Sequence, residues 1–189
     1  MDRLRLPAPS ARAGLAAASL VLGCGLAAPA LADASARDKE FTVIAGADGD
    51  YERAGLSLRF APVWTDTWGR WRADVRPELE LSHLRYTGSQ AGPDTLNLGG
   101  AIARLHLAHG EGRIRPYVEG GLGVALFSRD RLGGKGFSTD FQFSEHVGFG
   151  AELTGRGFLG LQYSHYSNAD IEKPNDGLDL VQVVLGARF

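Results

Sequence analysis

Polar and apolar residues alternate along much of this chain with a period of two. In WRADVRPELEL, Trp71, Ala73, Val75, Pro77, Leu79 and Leu81 share one face, and Arg72, Asp74, Arg76, Glu78 and Glu80 share the other. Successive side chains of a strand point to opposite faces, whereas a helix would scatter these charges around its circumference. The pattern predicts a strand over residues 70–86, apolar on one side and charged with both signs on the other. Similar strands are predicted over 53–63 (Leu56, Leu58 and Phe60 against Ser57 and Arg59) and 114–127 (Ile114, Val118, Leu122, Val124 and Leu126 against Arg115, Tyr117 and Glu119). Over 140–153, Phe141, Phe143, Val147, Phe149, Ala151 and Leu153 oppose Gln142, Ser144, His146, Gly148 and Glu152. Residues 95–108 are less regular: Leu96, Leu98 and Ile102 hold one phase, Leu105 and Leu107 the other. A β-bulge near Arg104 would account for that slip. Segments 40–47, 157–167 and 178–189 complete eight strands.

The connections alternate in length. Those near 64–69, 109–113 and 154–156 are short; those near 87–94, 128–139 and 168–177 are longer and polar, with 48–52 a short exception. Eight strands with short turns at one end and long loops at the other predict an antiparallel transmembrane β-barrel of the outer membrane. Many of the 26 glycines fall on the polar phase, leaving room in a narrow interior for packed charged side chains. The closing LVQVVLGARF sets Val181, Val183, Leu185, Ala187 and Phe189 on one face, and resembles the C-terminal signature by which such barrels are recognised for assembly. Trp64, Trp68 and Trp71 gather at one short connection, as an interfacial aromatic girdle would. A β-sandwich or lipocalin-like barrel would show the same alternation with its apolar phase turned inward.

Composition adds an address. Arg3, Arg5 and Arg12 precede the run AGLAAASLVLGCGLAAPALA, which closes on Ala30-Leu31-Ala32. A positive segment, a short apolar stretch and a small-residue cleavage site predict a signal peptide over 1–32, with the barrel over 33–189. Cys24, the single cysteine, lies in the leader, so the mature chain has no disulfide, thiol nucleophile or cysteine metal site. A net charge of −2 gives no broad basic footprint for nucleic acid. No stretch after residue 32 is apolar enough for a membrane helix.

Candidate chemistry lies in LQYSHYSNADIEKPNDGLDL, residues 161–180. Leu159, Leu161 and Tyr163 set a lipid-facing phase that His165 and Ser167 continue; Asp179 continues the outward phase of the last strand. Side chains two apart on a strand face sit about 6.5–7 Å apart at Cα, and a hairpin closed by 168–177 makes 165 and 179 near neighbours. Ser167 is then the candidate nucleophile, His165 the base that takes and returns its proton, and Asp179 the group that fixes the imidazole tautomer. At the long-loop end such a hydrolase would meet ester-linked acyl chains.

The string HYSNADIEKPNDGLD resembles the signature of the lipid A 3-O-deacylases, PagL-type outer-membrane enzymes. His165, Ser167 and Asn168 match its His-x-Ser-Asn part, and Pro174, Asn175 and Gly177 its Pro-Asn-x-Gly turn. The family acid is usually Glu; here the position holds Asp179, one methylene shorter, so its bond to His165 needs the strands closer or shifted. The resemblance implies an eight-stranded barrel that removes an ester-linked 3-hydroxyacyl chain from the 3-position of lipid A without a cofactor. By the same resemblance Asn168, Asn175 and the backbone around Gly177 are oxyanion or support candidates. Preorganised donors are what a developing negative charge requires.

Glu145 shares the outward phase of Phe143 and Val147, and a tight turn at 154–156 sets it opposite His165. A carboxylate in that setting is costly unless paired, so it is a candidate second acid or support for His165; the alternative is an exposed residue at the headgroups. His83, His106, His109 and His146 show no ligand spacing and read as interior or loop residues. GADGD at 46–50 lacks the twelve-residue calcium pattern, and no P-loop or dinucleotide fingerprint is present. Two other readings remain: an outer-membrane phospholipase or other acyl-ester hydrolase, and a non-enzymatic structural or adhesive barrel.

Overall fold

The computed structural model describes residues 39–153 and 156–189; the expected leader 1–32 and Cys24 lie outside them. Its strands are β1 (Glu40–Asp48), β2 (Tyr51–Arg59), β3 (Trp64–Trp68), β4 (Trp71–Tyr86), β5 (Thr95–His109), β6 (Ile114–Phe127), β7 (Arg131–Leu132), β8 (Lys135–Gly136), β9 (Phe141–Leu153), β10 (Gly157–Ser167) and β11 (Leu178–Arg188). β1 pairs with β2, β2 with β4, and the ladder runs on through β5, β6, β9, β10 and β11 back to β1, antiparallel throughout. Eight long strands thus close a barrel, as the alternation predicts. β7 and β8 form a small hairpin within the loop between β6 and β9.

The apolar phase faces outward. Leu81 is 71% exposed and Leu122 69%, while Arg59 is 1% exposed. That inversion excludes the sandwich and the lipocalin-like barrel, whose apolar phase would be buried. Inside, Arg59 donates to both oxygens of Glu119 at 3.0 Å and to Glu78 at 3.1 Å. Arg104 bonds Glu78 at 2.6 Å and contacts Glu119 at 3.4 Å. Small residues make the room: a Cβ on Gly160 would lie 2.1 Å from the Tyr117 hydroxyl, and one on Gly121 would lie 3.3 Å from the Arg104 guanidinium carbon.

Two strand expectations need correction. There is no bulge near Arg104, since β5 runs in unbroken register against β4 and β6. Leu96, Leu98 and Ile102 point inward; at the long-loop end the interior changes from charged to apolar, where Leu84, Leu96, Phe127, Phe137, Tyr166 and Leu180 pack together. The irregularity falls instead at 60–63. From Arg59 to Trp64 the chain advances five positions while β4 advances three, Glu78 to Val75, so β3 prolongs β2 beyond a bulge. The short connection tightens to Gly69-Arg70, with Gly69 at φ +58°, and Trp68 pairs with Trp71 beside it. His83 is also corrected: it points outward in phase with Leu79 and Leu81, and its Nδ1 meets Asn97 Oδ1 at 2.8 Å. His106 and His146 are interior as expected.

Candidate active site

β10 and β11 meet so that His165 and Asp179 are direct cross-strand partners, and β9 sets Glu145 opposite His165 on the other side. All three side chains lie on the outward phase with Leu161 and Tyr163. His165 Nδ1 donates to Asp179 Oδ1 at 2.7 Å. Direct pairing is what lets the shorter acid reach. Tyr163 donates its hydroxyl to the same carboxylate oxygen. With Nδ1 given to the acid, the imidazole keeps Nε2 as its basic nitrogen. Glu145 is exposed, and among the described residues no hydrogen bond joins it to the ring.

Ser167 lies two residues beyond His165 on the same face, opposite Phe143 of β9. No hydrogen bond joins its hydroxyl to His165 among the described residues. Catalytic hydrogen bonds are often long in ligand-free enzymes and tighten on substrate.

The loop 168–177 lies against this pair. Asn168 is buried and donates its amide to the carbonyls of Phe137 (2.9 Å) and Glu172 (2.8 Å). Both hydrogens of that amide are therefore engaged in shaping the loop. Its backbone N–H donates to Asn175 Oδ1 at 3.1 Å. Asn175 gives one amide hydrogen to Asp170 at 3.2 Å, and among the described residues the second has no partner. That bond, with Lys173 nearby, holds the Asp170 carboxyl below its ordinary range. Gly177 has φ +64°, and a Cβ there would lie 3.1 Å from His165 Cε1. A left-handed backbone with the ring at this distance suits glycine.

The arrangement orients an imidazole through Asp179 and sets a serine two residues away on the same outward face. The family profile described as lipid A 3-O-deacylase (PagL) matches residues 52–188. The chain belongs to the lipid A 3-O-deacylase (PagL) family. The lipid A deacylase PagL of Bordetella bronchiseptica is 36% identical over 146 residues, 76% of this chain and 80% of that protein. The Pseudomonas aeruginosa lipid A deacylase PagL is 29% identical over 149 residues, 77% and 84% of the two chains. A crystal structure of the outer membrane enzyme PagL matches with a TM-score of 0.68 at 21% identity, over 78% of this chain and 97% of that one, so it shares the fold. As a PagL-family member this protein is an outer-membrane ester hydrolase, and the reading as a non-enzymatic barrel falls away.

Tyr163 is the contributor that the sequence reading treats only as a phase marker. Its signal was present: it shares the outward face with His165 and sits diagonally from residue 179, within reach of a long side chain.

Proposed function

We propose that this protein hydrolyses the ester-linked 3-hydroxyacyl chain at the 3-position of lipid A, using Ser167, His165 and Asp179 on its lipid-facing wall. Ser167 Oγ attacks the acyl carbonyl and passes its proton to His165 Nε2. Asp179 holds the ring through Nδ1 and stabilises the imidazolium. The tetrahedral intermediate collapses, the sugar oxygen leaves with the proton from Nε2, and an acyl-serine remains. Water then releases the hydroxy fatty acid by the reverse proton path. Asn175, with an amide hydrogen to spare, is the side-chain candidate for the oxyanion. No step calls for a metal or cofactor.

The observation that carries this reading is the His165–Asp179 bond on the outward face, at the long-loop end of a PagL-family barrel. The wall supports an acyl substrate. Ser167 faces Phe143, Phe143 faces Val124, and Val124 faces Ala101, a row crossing from β10 to β5 over about 14 Å at the usual strand spacing. The row enters an apolar groove of about 720 Å³ floored by Gly99 and Ala101 and walled by Leu79, Leu81, Val124 and Leu126.

The test is mass spectrometry of lipid A and phospholipids from cells expressing the protein or its Ser167→Ala variant. Loss of one 3-hydroxyacyl group from lipid A, dependent on Ser167, is expected. Ser167-dependent loss from phospholipids would move the activity to a phospholipase. No Ser167-dependent change with a folded barrel would overturn the site.

A further inference from the structure

The loop that carries Asn168, Asn175 and Gly177 is fastened to the β7–β8 hairpin. Gly136 N–H donates to Asp176 Oδ2 at 2.7 Å, and Asp176 N–H returns a bond to Gly136 O at 3.0 Å. Lys135 Nζ donates to Gly177 O at 2.9 Å, and Ser138 Oγ to Pro174 O at 2.8 Å. Asn168 Nδ2 to Phe137 O makes the fifth bond. The approach is close: a Cβ on Gly136 would sit 2.8 Å from Pro174 Cγ. The hairpin is itself fixed, because Leu132 and Phe137 are buried in the apolar cluster under the long-loop end and Gly133 N–H donates to Pro93 O at 2.7 Å. Phe137 packs edge-on against Phe127 at 5.1 Å.

Two of these bonds act next to the reacting groups. Lys135 grips the carbonyl of Gly177, the residue whose backbone lies against the His165 ring. Asp176, the residue just before it, is pinned to Gly136 through its carboxylate and its backbone N–H. The Gly177 carbonyl and Asp176 both belong to the 168–177 loop, so losing these bonds to the hairpin would let Gly177 and Asn175 drift from His165. A mispositioning of about 1 Å can cost about 10²-fold in rate.

We propose that the β7–β8 hairpin is a positioning element of the active site, with Lys135 and Asp176 as positioning residues that hold Gly177 and Asn175 against the His165–Ser167 pair. The proposal rests on the assignment of Ser167 and His165. Neither positioning residue touches the acyl group; each acts through the loop.

The experiment is steady-state hydrolysis by the purified full-length protein in mixed micelles of lipid A and detergent, with thermal unfolding measured alongside. Asp176→Ala and Lys135→Ala are each expected to lower kcat about tenfold with KM within twofold. Asp176→Asn, which keeps an acceptor for Gly136 N–H, and Lys135→Arg, which keeps a donor for Gly177 O, are expected to restore most of the rate. An unchanged kcat with a lowered melting temperature would make the staple merely structural and overturn the proposal. A raised KM at constant kcat would make Lys135 a substrate contact, and would overturn it too. If the wild type is inactive, or Ser167→Ala is as active as wild type, the assignment of the site fails instead, and the two failures are told apart.

Discussion

Asp179 accepts from both His165 and Tyr163 through one oxygen, so a single carboxylate sets the tautomer of the base and is itself held in place. Asp179→Asn keeps the shape and removes the charge; a loss of about 10²–10⁴-fold in kcat is expected from comparable triads. Tyr163→Phe removes one donor and leaves the pair, and is expected to cost about tenfold, the scale of one hydrogen bond to a charged group. Glu145 faces the same ring from β9 without bonding it. Glu145→Gln is therefore expected to stay within threefold of wild type; a loss matching that of Asp179→Asn would make Glu145 the working acid. Gly177→Ala would strain a left-handed backbone and press a methyl 3.1 Å from the imidazole, so kcat should fall with little change in barrel stability. Rates on lipid A micelles, read beside thermal unfolding, decide all four.

Strands were readable where both faces kept one character over most of their length. β9 did so on its inward face, β4 as far as Ser82 and β6 as far as Gly123, before their inward faces turn to Leu84, Tyr86, Ala125 and Phe127, and their register followed, including the pairing of Glu145 with His165. β5 did not, because its inward face passes from Arg104 and His106 to Leu96 and Leu98. A pattern that knows only polar and apolar reads a change in the lining of the barrel as a slip in the strand. The bulge at 60–63 left no such mark, since Phe60 merely extends the alternation of Leu56 and Leu58. The site divides the same way: His165, Ser167 and Asp179 stand on periodic strands and were visible, while the engagement of the Asn168 amide with Phe137 and Glu172 depends on two loops meeting. Along the outward row the same regularity makes a prediction. Ala101→Trp should fill the groove between Leu79 and Val124 without touching the interior. Relative kcat/KM should fall for long acyl chains more than for short ones, compared across substrates of defined chain length; equal loss for all lengths would remove the groove from the substrate path.

The whole barrel is held by a polar interior enclosed within an apolar wall, and the energetics of that interior differ from those of an ordinary core. Arg59 and Glu119 are both buried, bonded to each other at 3.0 Å, and each is bonded in turn to the Glu78–Arg104 pair. The Arg59 guanidinium also lies 4.4 Å above the Phe158 ring. Removing one partner leaves a buried charge uncompensated, at a cost of about 3–5 kcal/mol; removing both partners of a pair is often close to neutral. Arg59→Met alone leaves Glu78 and Glu119 sharing Arg104, with His106 at 3.3 Å from Glu119. Glu119→Gln alone leaves Arg59 and Arg104 sharing Glu78, with Glu40 at 3.9 Å from Arg59. The double variant leaves Arg104 with Glu78, a balanced pair at 2.6 Å. Unfolding by urea from lipid vesicles, followed by the fluorescence of Trp64, Trp68 and Trp71, should therefore find the double variant more stable than either single one. The coupling of the cycle should be on the order of 2–3 kcal/mol, within the range for residues of one network. A double variant whose loss equals the sum of the single losses would mean that the charges are solvated one by one, and that the interior is a lining rather than a network.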